Sequence, residues 1–298
     1  MKKKYLYLLI AGLALSALLP VVILMCLCTR SEQIRPQTVM YGGIEYTYKE
    51  FLTGCILSSL KMLDEPPDDD DAEGIKAVAS ALDCSARYLL RAGKTLDGGY
   101  PSLEHTDERE GLSHFGAELS TYRKYAEKAA EYAISYDINV GGEAVFLPIC
   151  RISSGVLISP YDSGNPYVKK LYCEKDKAAD FYIGSCQLTA DGIAEIMLTE
   201  YPSLVIPPDE SRWISDIRCD NDGNVLRLNV CGIEMSCEQF RRLFGIRSAA
   251  FDMSYTQRLY SFTTKGDGCN TGMSVYSALK LSERGCTAEQ ILDEFYDL

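Results

Sequence analysis

Near its carboxyl end the chain contains a glycine-spaced loop whose residue types suit the binding of a ligand. The loop runs from Gly266 to Ala278 and reads Gly-Asp-Gly-Cys-Asn-Thr-Gly-Met-Ser-Val-Tyr-Ser-Ala. Glycine adopts positive φ without strain and lets the backbone approach another group closely, as a loop beneath a substrate requires. Glycine spacing alone is more typical of a plain turn. The residues that follow the loop are therefore needed to distinguish a plain turn from a binding loop.

The loop leads into two short predicted helices. Gly285 ends the first helix, and a capping box from Thr287 to Gln290 begins the second. This order resembles the closing signature of the stage II sporulation protein D (SpoIID/LytB) family, whose loop usually reads G-W-G-H-G-V-G-M-S-Q-x-G-A. The positions that agree are Gly266, Gly268, Gly272, Met273, Ser274 and Ala278. The positions that differ include Asp267 for Trp, Cys269 for His and Val275 for Gln. The frame of the family's loop is retained, whereas several of its polar groups are replaced.

The resemblance implies a peptidoglycan lytic transglycosylase, which cleaves the β-1,4 bond between N-acetylmuramic acid and N-acetylglucosamine without a net water. Such chemistry needs a carboxyl group of raised pKa that gives a proton to the leaving oxygen and takes it back. The family's proposed acid is the glutamate of an A-A-E-M-P helix. Aligning Phe51, Leu52 and Gly54 with the family's Y-L-x-G places Ser59 at that position. A serine hydroxyl has no useful acidity near neutral pH, and general acid–base catalysis contributes about 10²–10⁴-fold. The sequence therefore predicts a peptidoglycan-binding protein whose catalysis is impaired.

The same alignment assigns further residues to the site. Asp83 stands where the family has Arg, and Arg87 lies one turn later on the same face. Ser153 and Ser154 are the candidates for the family's serine- and glycine-rich groove lining. The substrate-binding residues that the resemblance implies are Arg87, Ser153, Ser154, Arg247, Ser248, Gly266, Gly268, Cys269, Gly272, Met273 and Ser274. A salt-bridged structural role is the other interpretation for Arg247.

Two alternatives remain open. The first is an active lytic transglycosylase that uses another carboxylate, for which the candidates are Glu50, Asp64, Glu65 and Asp83. It predicts a carboxylate beside Ser59 and the glycine loop. The second is a redox or metal protein built on the ten cysteines outside the apolar amino-terminal run. None of them forms a C-x-x-C pair or a zinc-ligand spacing, so no metal site and no cofactor are predicted.

Helices in the first half of the chain must position Ser59. A capping box from Thr47 to Glu50 begins a helix with Leu52, Cys55, Ile56 and Ser59 on one face. Two prolines and a run of acids then form a solvated loop, and an alanine-rich helix follows over residues 73–91. A long amphipathic helix is predicted from 113 to 134, and a hairpin that turns at Gly141-Gly142 is predicted within 137–159.

The last third of the chain is predicted to be strands around one helix. Turn residues at 221–224 join two strands into a hairpin. A capping box from Ser236 to Gln239 begins a helix, and strands over 250–255 and 259–264 lead into the glycine loop. The segment from Phe240 to Ser248 also resembles the family's F-R-x-x-L-G-L-R-S pattern.

The amino terminus predicts a membrane anchor. Lys2 to Lys4 precede an apolar run from Tyr5 to Cys28, close to the length of about 20 residues that a spanning helix needs, and the basic end stays inside. The run continues past the small residues that could form a cleavage site, which argues against a signal peptide. We therefore predict a cytoplasmic stub at 1–4, an anchor at 5–28, a linker at 29–40 and an extracytoplasmic SpoIID-like domain at 41–298. The predicted fold class is an α+β SpoIID/LytB-type domain behind a single N-terminal transmembrane helix.

Charge limits the partners of this predicted single-pass membrane protein. The chain of 298 residues has a net charge of −12. This negative charge disfavours binding to nucleic acid, whose phosphates are also negative. A glycan would have to be held by hydrogen bonds and aromatic stacking rather than by bulk charge. The resemblance implies peptidoglycan strands as the ligand and stage II sporulation proteins P and M as partners, with the domain in the intermembrane space of the sporangium if the host sporulates.

Overall fold

A computed structural model describes residues 35–100 and 103–298, which fold around two hydrophobic cores. The first core is mostly helical and the second is formed by strands and two helices. The chain leaves the first core before β4 and returns to it through the glycine loop.

The helical core is formed from both ends of the described chain. Its amino-terminal elements are β1 (Thr38–Tyr41), β2 (Ile44–Thr47), α1 (Tyr48–Leu60), α2 (Ala72–Arg91), α3 (Glu108–Phe115), α4 (Leu119–Ser135), β3 (Ile149–Cys150) and α5 (Pro160–Ser163). Its carboxyl-terminal elements are β10 (Met273–Ser274), α8 (Val275–Ser282) and α9 (Ala288–Phe295). Helix α2 packs against α4 on one side and against α8 and α9 on the other. Burying apolar surface between these helices is the main stabilising contribution to this core.

The second core contains the intervening elements. They are β4 (Ile183–Thr189), α6 (Ala190–Glu200), β5 (Ile214–Cys219), β6 (Val225–Val230), β7 (Ile233–Ser236), α7 (Cys237–Phe244), β8 (Ala250–Thr256) and β9 (Leu259–Lys265). They form two antiparallel three-stranded sheets, with strand orders β4-β9-β8 and β5-β6-β7. The predicted hairpin at 221–224 and the predicted strand pair that precedes the glycine loop are both confirmed.

Helix α1 carries Ser59 and lies in the helical core. The predicted capping box is present, because the Thr47 side chain accepts from the Glu50 backbone and the Glu50 side chain accepts from the Thr47 backbone. Every residue from Phe51 to Leu60 is buried, since α2, α4 and the β1-β2 hairpin pack around the helix. The sequence predicted that only one face of this helix is buried. In the structure the helix is enclosed on nearly all sides, and Ser59 is among its buried residues.

Three local predictions differ from the structure. The helix predicted at 113–134 is two helices, because Gly116 adopts a φ of 56° and a short 3-10 turn separates α3 from α4. The hairpin predicted at Gly141-Gly142 is reduced to one isolated bridge between Val140 and Glu143. Strand β1 begins at residue 38, inside the linker predicted at 29–40.

The predicted membrane anchor at 5–28 lies outside the described residues. Within residues 35–100 and 103–298, no helix is long and apolar enough to cross a membrane. The structure therefore corrects the predicted fold class and localisation. It supports a mixed fold of helices and strands, and it supports neither a single N-terminal transmembrane helix nor a single-pass membrane protein.

Candidate functional site

Ser59 and the glycine loop lie in the same pocket. This pocket, of about 40 Å³, is lined by Ser58 and Ser59 from α1, by Asp267, Gly268 and Cys269 from the loop, and by Glu104, Ile149, Cys150, Arg151 and Arg241. We call it the floor pocket. Its volume is close to that of a single water molecule, about 30 Å³ in the liquid. It is therefore a polar recess rather than a complete ligand site.

A larger cleft of about 530 Å³ adjoins the floor pocket and shares Glu104, Arg151, Arg241 and Asp267 with it. We call it the cleft. The helical core lines it with residues that include Tyr41 and Tyr100, and the second core lines it with residues that include Glu238, Arg242 and Arg247. The cleft lies between the two cores, which is a frequent position for a ligand site.

The Ser59 side chain is held inside α1. Its residue is 5% exposed, and its hydroxyl donates to the Cys55 carbonyl at 3.0 Å, one turn earlier in the helix. This bond satisfies the hydroxyl locally, as is common for serine within a helix. Ser59, at the position that the resemblance predicts for an acid, thus uses its hydroxyl within its own helix.

The three glycines of the loop allow close contact with the protein's own backbone. Gly266, Gly268 and Gly272 all have positive φ. A Cβ at Gly266 would lie 2.6 Å from the Ile152 carbonyl oxygen, and a Cβ at Gly272 would lie 1.8 Å from the Pro148 carbonyl oxygen. The sequence predicted that the glycines make room for a ligand. Instead they let the loop pack directly on residues 148–153, which leaves Asp267 to Cys269 on the pocket wall.

Two buried side chains fix the loop. Asn270 has a φ of 56°, accepts from the Ser154 backbone at 3.0 Å and donates to the Asn224 side chain at 2.9 Å. Asp176 is fully buried and accepts from the Ser274 hydroxyl at 2.6 Å and the Ser277 hydroxyl at 2.6 Å. Because buried polar groups need partners, these bonds give the loop one defined conformation.

The cleft is rich in arginine although the protein is acidic. Arg151 donates to Asp267 at 3.0 and 3.1 Å, to the Ser58 carbonyl at 3.1 Å, and to Glu104. Burial alone would lower the pKa of the Arg151 guanidinium, but the charges of Asp267 and Glu104 outweigh it and raise that pKa. Arg151 therefore joins α1, the loop and the segment before α3 through one charged group.

Glu238 on the first turn of α7 and Arg241 on its last turn form the opposite wall. They share one contact of 3.2 Å between Arg241 Nη1 and Glu238 Oε2. Glu238 Oε1 and Arg241 Nε are buried and have no hydrogen-bond partner among the described residues. Burial raises the pKa of the Glu238 carboxyl, and the nearby Arg241 only partly opposes that shift.

Cys269, at the position where the resemblance would place a histidine, supplies no charge. Burial raises the pKa of its thiol to about 11, so the sulfur stays protonated near neutral pH and is a poor nucleophile. Each of the ten cysteines in the described part of the chain has a free thiol. Across residues 35–100 and 103–298, no group of three or more His, Cys, Asp or Glu side chains could hold a metal ion.

The structure does not bring Asp83 and Arg87 to the cleft. Asp83 is 1% exposed and accepts from Arg87 at 2.8 Å, from Arg35 at two positions of 2.8 Å, and from the Tyr48 hydroxyl at 3.0 Å. Arg87 also donates to the Ile138 carbonyl at 2.7 Å. Their predicted catalytic and substrate-binding roles are therefore corrected to a buried ion network that joins α2 to its neighbours.

Other predicted site residues are buried and do not line the cleft. Ser153, Ser248, Met273 and Ser274 are buried, and neither the floor pocket nor the cleft includes them in its lining. Ser154 bonds to the Asn224 side chain at 2.9 Å. Of the predicted substrate-binding set, the residues that line the floor pocket or the cleft are Arg247, Gly268 and Cys269.

The alternative acids proposed from sequence lie elsewhere. Glu50 belongs to the capping box of α1, Asp64 and Glu65 are on the exposed acidic loop, and Asp83 is in the ion network. Sequence reasoning missed Glu104, Arg151 and Glu238. Only weak sequence features could have identified them. Arg151 precedes the Ser153-Ser154 pair, and Glu238 lies inside the Ser236 to Gln239 capping pattern.

No family model matches the chain, and no curated protein matches it. The resemblance to the SpoIID/LytB group therefore stays a prediction that rests on the motifs quoted above.

Proposed function

We propose that this protein binds peptidoglycan glycan strands in the cleft, in sporulation or cell-wall remodelling, and that Ser59 leaves the acid position of the SpoIID-like site without a proton donor. Stage II sporulation proteins P and M are the partners that this proposal implies. One observation carries it: Ser59 and the loop residues Asp267 to Cys269 lie in one pocket at the floor of a cleft between two cores. The resemblance requires those two segments to face each other.

The chemistry of the cleft suits a glycan. The rings of Tyr41 and Tyr100 are half-buried in its wall, and an aromatic ring offers both an apolar face and, in tyrosine, a polar tip. Sugars present apolar faces and hydroxyl edges, so they can use both. The volume of about 530 Å³ falls within the range of about 300–1,000 Å³ that is usual for ligand sites.

Arg242 adds a group that can hold an anion. Its side chain is exposed in the cleft and forms no hydrogen bond or ion pair with the described residues. A glycan strand without its peptides carries a carboxylate on each muramyl lactyl group. An arginine that is not already paired can bind such a carboxylate through two parallel hydrogen bonds.

Binding of peptide-stripped glycan strands to the full-length protein tests this proposal. We expect saturable binding that is weakened about tenfold by Arg242→Ala, since a good charged contact is worth about 1–3 kcal/mol. Arg227→Ala is the matched control, because Arg227 is also exposed but pairs with Glu234 away from the cleft. Equal affinity for cellulose strands, which lack the carboxylate, would contradict the proposal. So would equal effects of the two arginine variants.

The second candidate is an active lytic transglycosylase that uses another carboxylate. The acids first considered, Glu50, Asp64, Glu65 and Asp83, do not line the cleft. Other carboxylates do: Asp97, Glu104, Glu238 and Asp267. The presence of these groups around the cleft is the specific observation that keeps the second candidate open.

A further inference from the structure

Strand β4 forms one edge of its sheet and is paired on one side. The sheet has the order β4-β9-β8, and β4 pairs with β9 in a regular antiparallel register that contains no bulge. The Tyr182 carbonyl accepts from the Gly266 backbone at 2.7 Å, and the Ala190 backbone donates to the Arg258 carbonyl at 2.9 Å. Because bonded and non-bonded residue pairs alternate in an antiparallel ladder, the even-numbered residues of β4 bond to β9. The odd-numbered residues direct their backbone N–H and C=O groups outwards.

The outer side of β4 therefore carries hydrogen-bonding groups that the described part of the chain does not use. They include the backbone groups of Ile183, Ser185 and Gln187, which bond to no described residue. Two exposed side chains are in the same state. Gln187 donates to the Ser261 hydroxyl at 3.2 Å, but its amide oxygen and the Ser185 hydroxyl form no hydrogen bond with the described residues. Such a row of unpaired donors and acceptors is a template for a further strand.

The other edge strands of the two three-stranded sheets have features that oppose such pairing. Strand β5 has register shifts on both sides of Arg218, β7 is four residues long, and β8 carries the charged Asp252 on its exposed face. Bulges, short strands and charges are the usual protection of a sheet edge. Strand β4 reads Ile-Gly-Ser-Cys-Gln-Leu-Thr, with seven residues and neither a charge nor a proline. It is therefore the edge of these sheets that is suited to accept another strand.

We propose that β4 pairs antiparallel with β4 of a second copy of this chain, which joins two sheets of three strands into one sheet of six. A two-fold axis through the middle residue, Cys186, overlaps the whole strand with itself, so Ile183 faces the partner's Thr189. Ser185 then faces the partner's Gln187, and both residues direct their backbone groups towards each other. The unused hydroxyl of one copy meets the unused amide oxygen of the other, and the symmetry makes this contact twice.

The size of the strand pair determines what kind of dimer it forms. Stable complexes bury about 1,200–2,000 Å², and two seven-residue strands bury less than that, so the dimer is reversible and depends on concentration. The inference does not depend on glycan binding, because no residue of β4 lines the cleft or the floor pocket. Both clefts stay open when the two strands pair.

Cys186 reports the pairing, because its side chain is half-buried and its thiol is free. In the proposed register the two Cys186 residues form a directly opposed, non-hydrogen-bonded pair whose Cα atoms lie about 4.5 Å apart. That separation is within the range of about 4.4–6.8 Å that a disulfide spans. The thiol oxidant diamide takes up the two hydrogen atoms that the two thiols lose as their sulfurs bond. Oxidation therefore traps the reversible dimer as a covalent one.

The experiment uses the full-length protein at a series of concentrations. Sedimentation under reducing conditions measures its mass, and a denaturing gel without reductant detects covalent dimers after diamide treatment. We expect a mass that rises with concentration towards that of two chains, and a covalent dimer that Cys186→Ser abolishes. Cys219→Ser is the control, because Cys219 is exposed on β5; it should leave the covalent dimer unchanged.

A pair of lysine variants tests the same edge without a cysteine. Ser185→Lys should weaken self-association about three- to tenfold, because the two new charges become diagonal neighbours on one face of the joined sheet. Ser254→Lys is the matched control, since Ser254 is also exposed on that face but lies on β8; it should associate like wild type.

Three results would overturn the inference. They are a single-chain mass over the whole concentration series, a covalent dimer that survives Cys186→Ser, and equal association of the two lysine variants. The last result would assign any self-association to another surface of the chain. If Ser185→Lys does not fold, the dependence of the covalent dimer on Cys186 still tests the pairing.

Discussion

The guanidinium group of Arg151 donates hydrogen bonds to both carboxylate oxygens of Asp267, at 3.1 and 3.0 Å. The Asp267 side chain is 13% exposed. The contact ties the loop to the segment that follows β3, and a further bond from Arg151 to the Ser58 carbonyl ties both to α1. A charged pair thus holds the two sides of the floor pocket together.

Arg151→Ala should destabilise the protein by about 1–3 kcal/mol. Among the described residues, it leaves the mostly buried Asp267 carboxylate only a longer contact of 3.4 Å to Arg247. Urea unfolding monitored by circular dichroism measures the change. Arg227→Ala removes an exposed pair with Glu234 and should cost about 0–1 kcal/mol. Equal losses in the two variants would show that the Arg151 pair is no more than a surface contact.

Asp176→Asn should detach the loop from its support. The Asp176 carboxylate accepts from the Ser153 backbone at 2.7 Å and from the hydroxyls of Ser274 and Ser277 at 2.6 Å. An amide has one oxygen and one NH₂ group, so it cannot accept all three bonds: the hydroxyl that meets the NH₂ group must turn to accept, or its bond is lost. We expect a loss of about 1–3 kcal/mol together with weaker glycan binding. Asp252→Asn, on an exposed position of β8, should change stability by less than about 0.5 kcal/mol. A wild-type unfolding midpoint for Asp176→Asn would contradict the argument.

Local sequence patterns predicted the helices and strands well, but they predicted the residues that line the cleft only in part. The capping residues Thr47 and Thr287 begin helices where predicted, because each cap bonds to a backbone group three residues away. The pairing of Arg151 with Asp267 spans 116 residues, and its pairing with Glu104 spans 47. Such contacts depend on how the two cores meet, and nothing in the neighbouring sequence reports that.

The glycines of the loop also show what local sequence cannot predict. The spacing of Gly266, Gly268 and Gly272 correctly predicted backbone with positive φ. It could not predict what the backbone approaches, which is the chain itself at 148–153. In the same way, the resemblance placed Asp83 and Arg87 on one face of a helix but not inside an ion network with Arg35 and Tyr48.

Gly54→Ala should destabilise α1, although glycine to alanine usually stabilises a helix interior by about 1 kcal/mol. A Cβ at Gly54 would lie 2.2 Å from the His105 ring. That ring cannot move aside freely, because Phe51 stacks on it with a centroid distance of 5.9 Å and Tyr46 lies at 4.4 Å. We expect a loss of about 1–3 kcal/mol from this overpacking, measured by thermal unfolding. In His105→Ala protein, where the ring is absent, the same substitution should be neutral or stabilising; an equal loss in both backgrounds would rule out the clash.

His105 should also make stability depend on pH. Burial lowers the pKa of its imidazole below the ordinary value, and the charge of Asp107 only partly opposes this shift. The unfolded chain therefore takes up a proton near pH 6.5 while the folded protein does not. The stabilising contribution is complete above that pH and is lost as the pH falls towards the folded pKa, at no more than about 1.4 kcal/mol per pH unit for one proton.

Unfolding free energies of wild type and His105→Phe between pH 7.5 and pH 5 test the His105 prediction. The phenylalanine ring fills the same space but does not titrate, so the difference between the two proteins should move in favour of the variant as the pH falls. A difference that stays constant over this range would assign the pH dependence to other groups.

Ser59→Glu should not make the protein cleave glycan strands, even though it places a carboxyl group at the acid position that the resemblance implies. The new carboxylate would enter the floor pocket of about 40 Å³, whose lining includes Arg151 and Arg241. Arg151 is already paired with Glu104 and Asp267 of the same lining, so Arg241 is the guanidinium group that would pair with the new carboxylate. That pairing stabilises the charged form and lowers the pKa, so at neutral pH the carboxyl would hold no proton to give. Product release from glycan strands measures the outcome for Ser59→Glu beside wild type. Faster release by Ser59→Glu than by wild type would show that the floor pocket still suits an acid and that its loss at position 59 is the whole impairment.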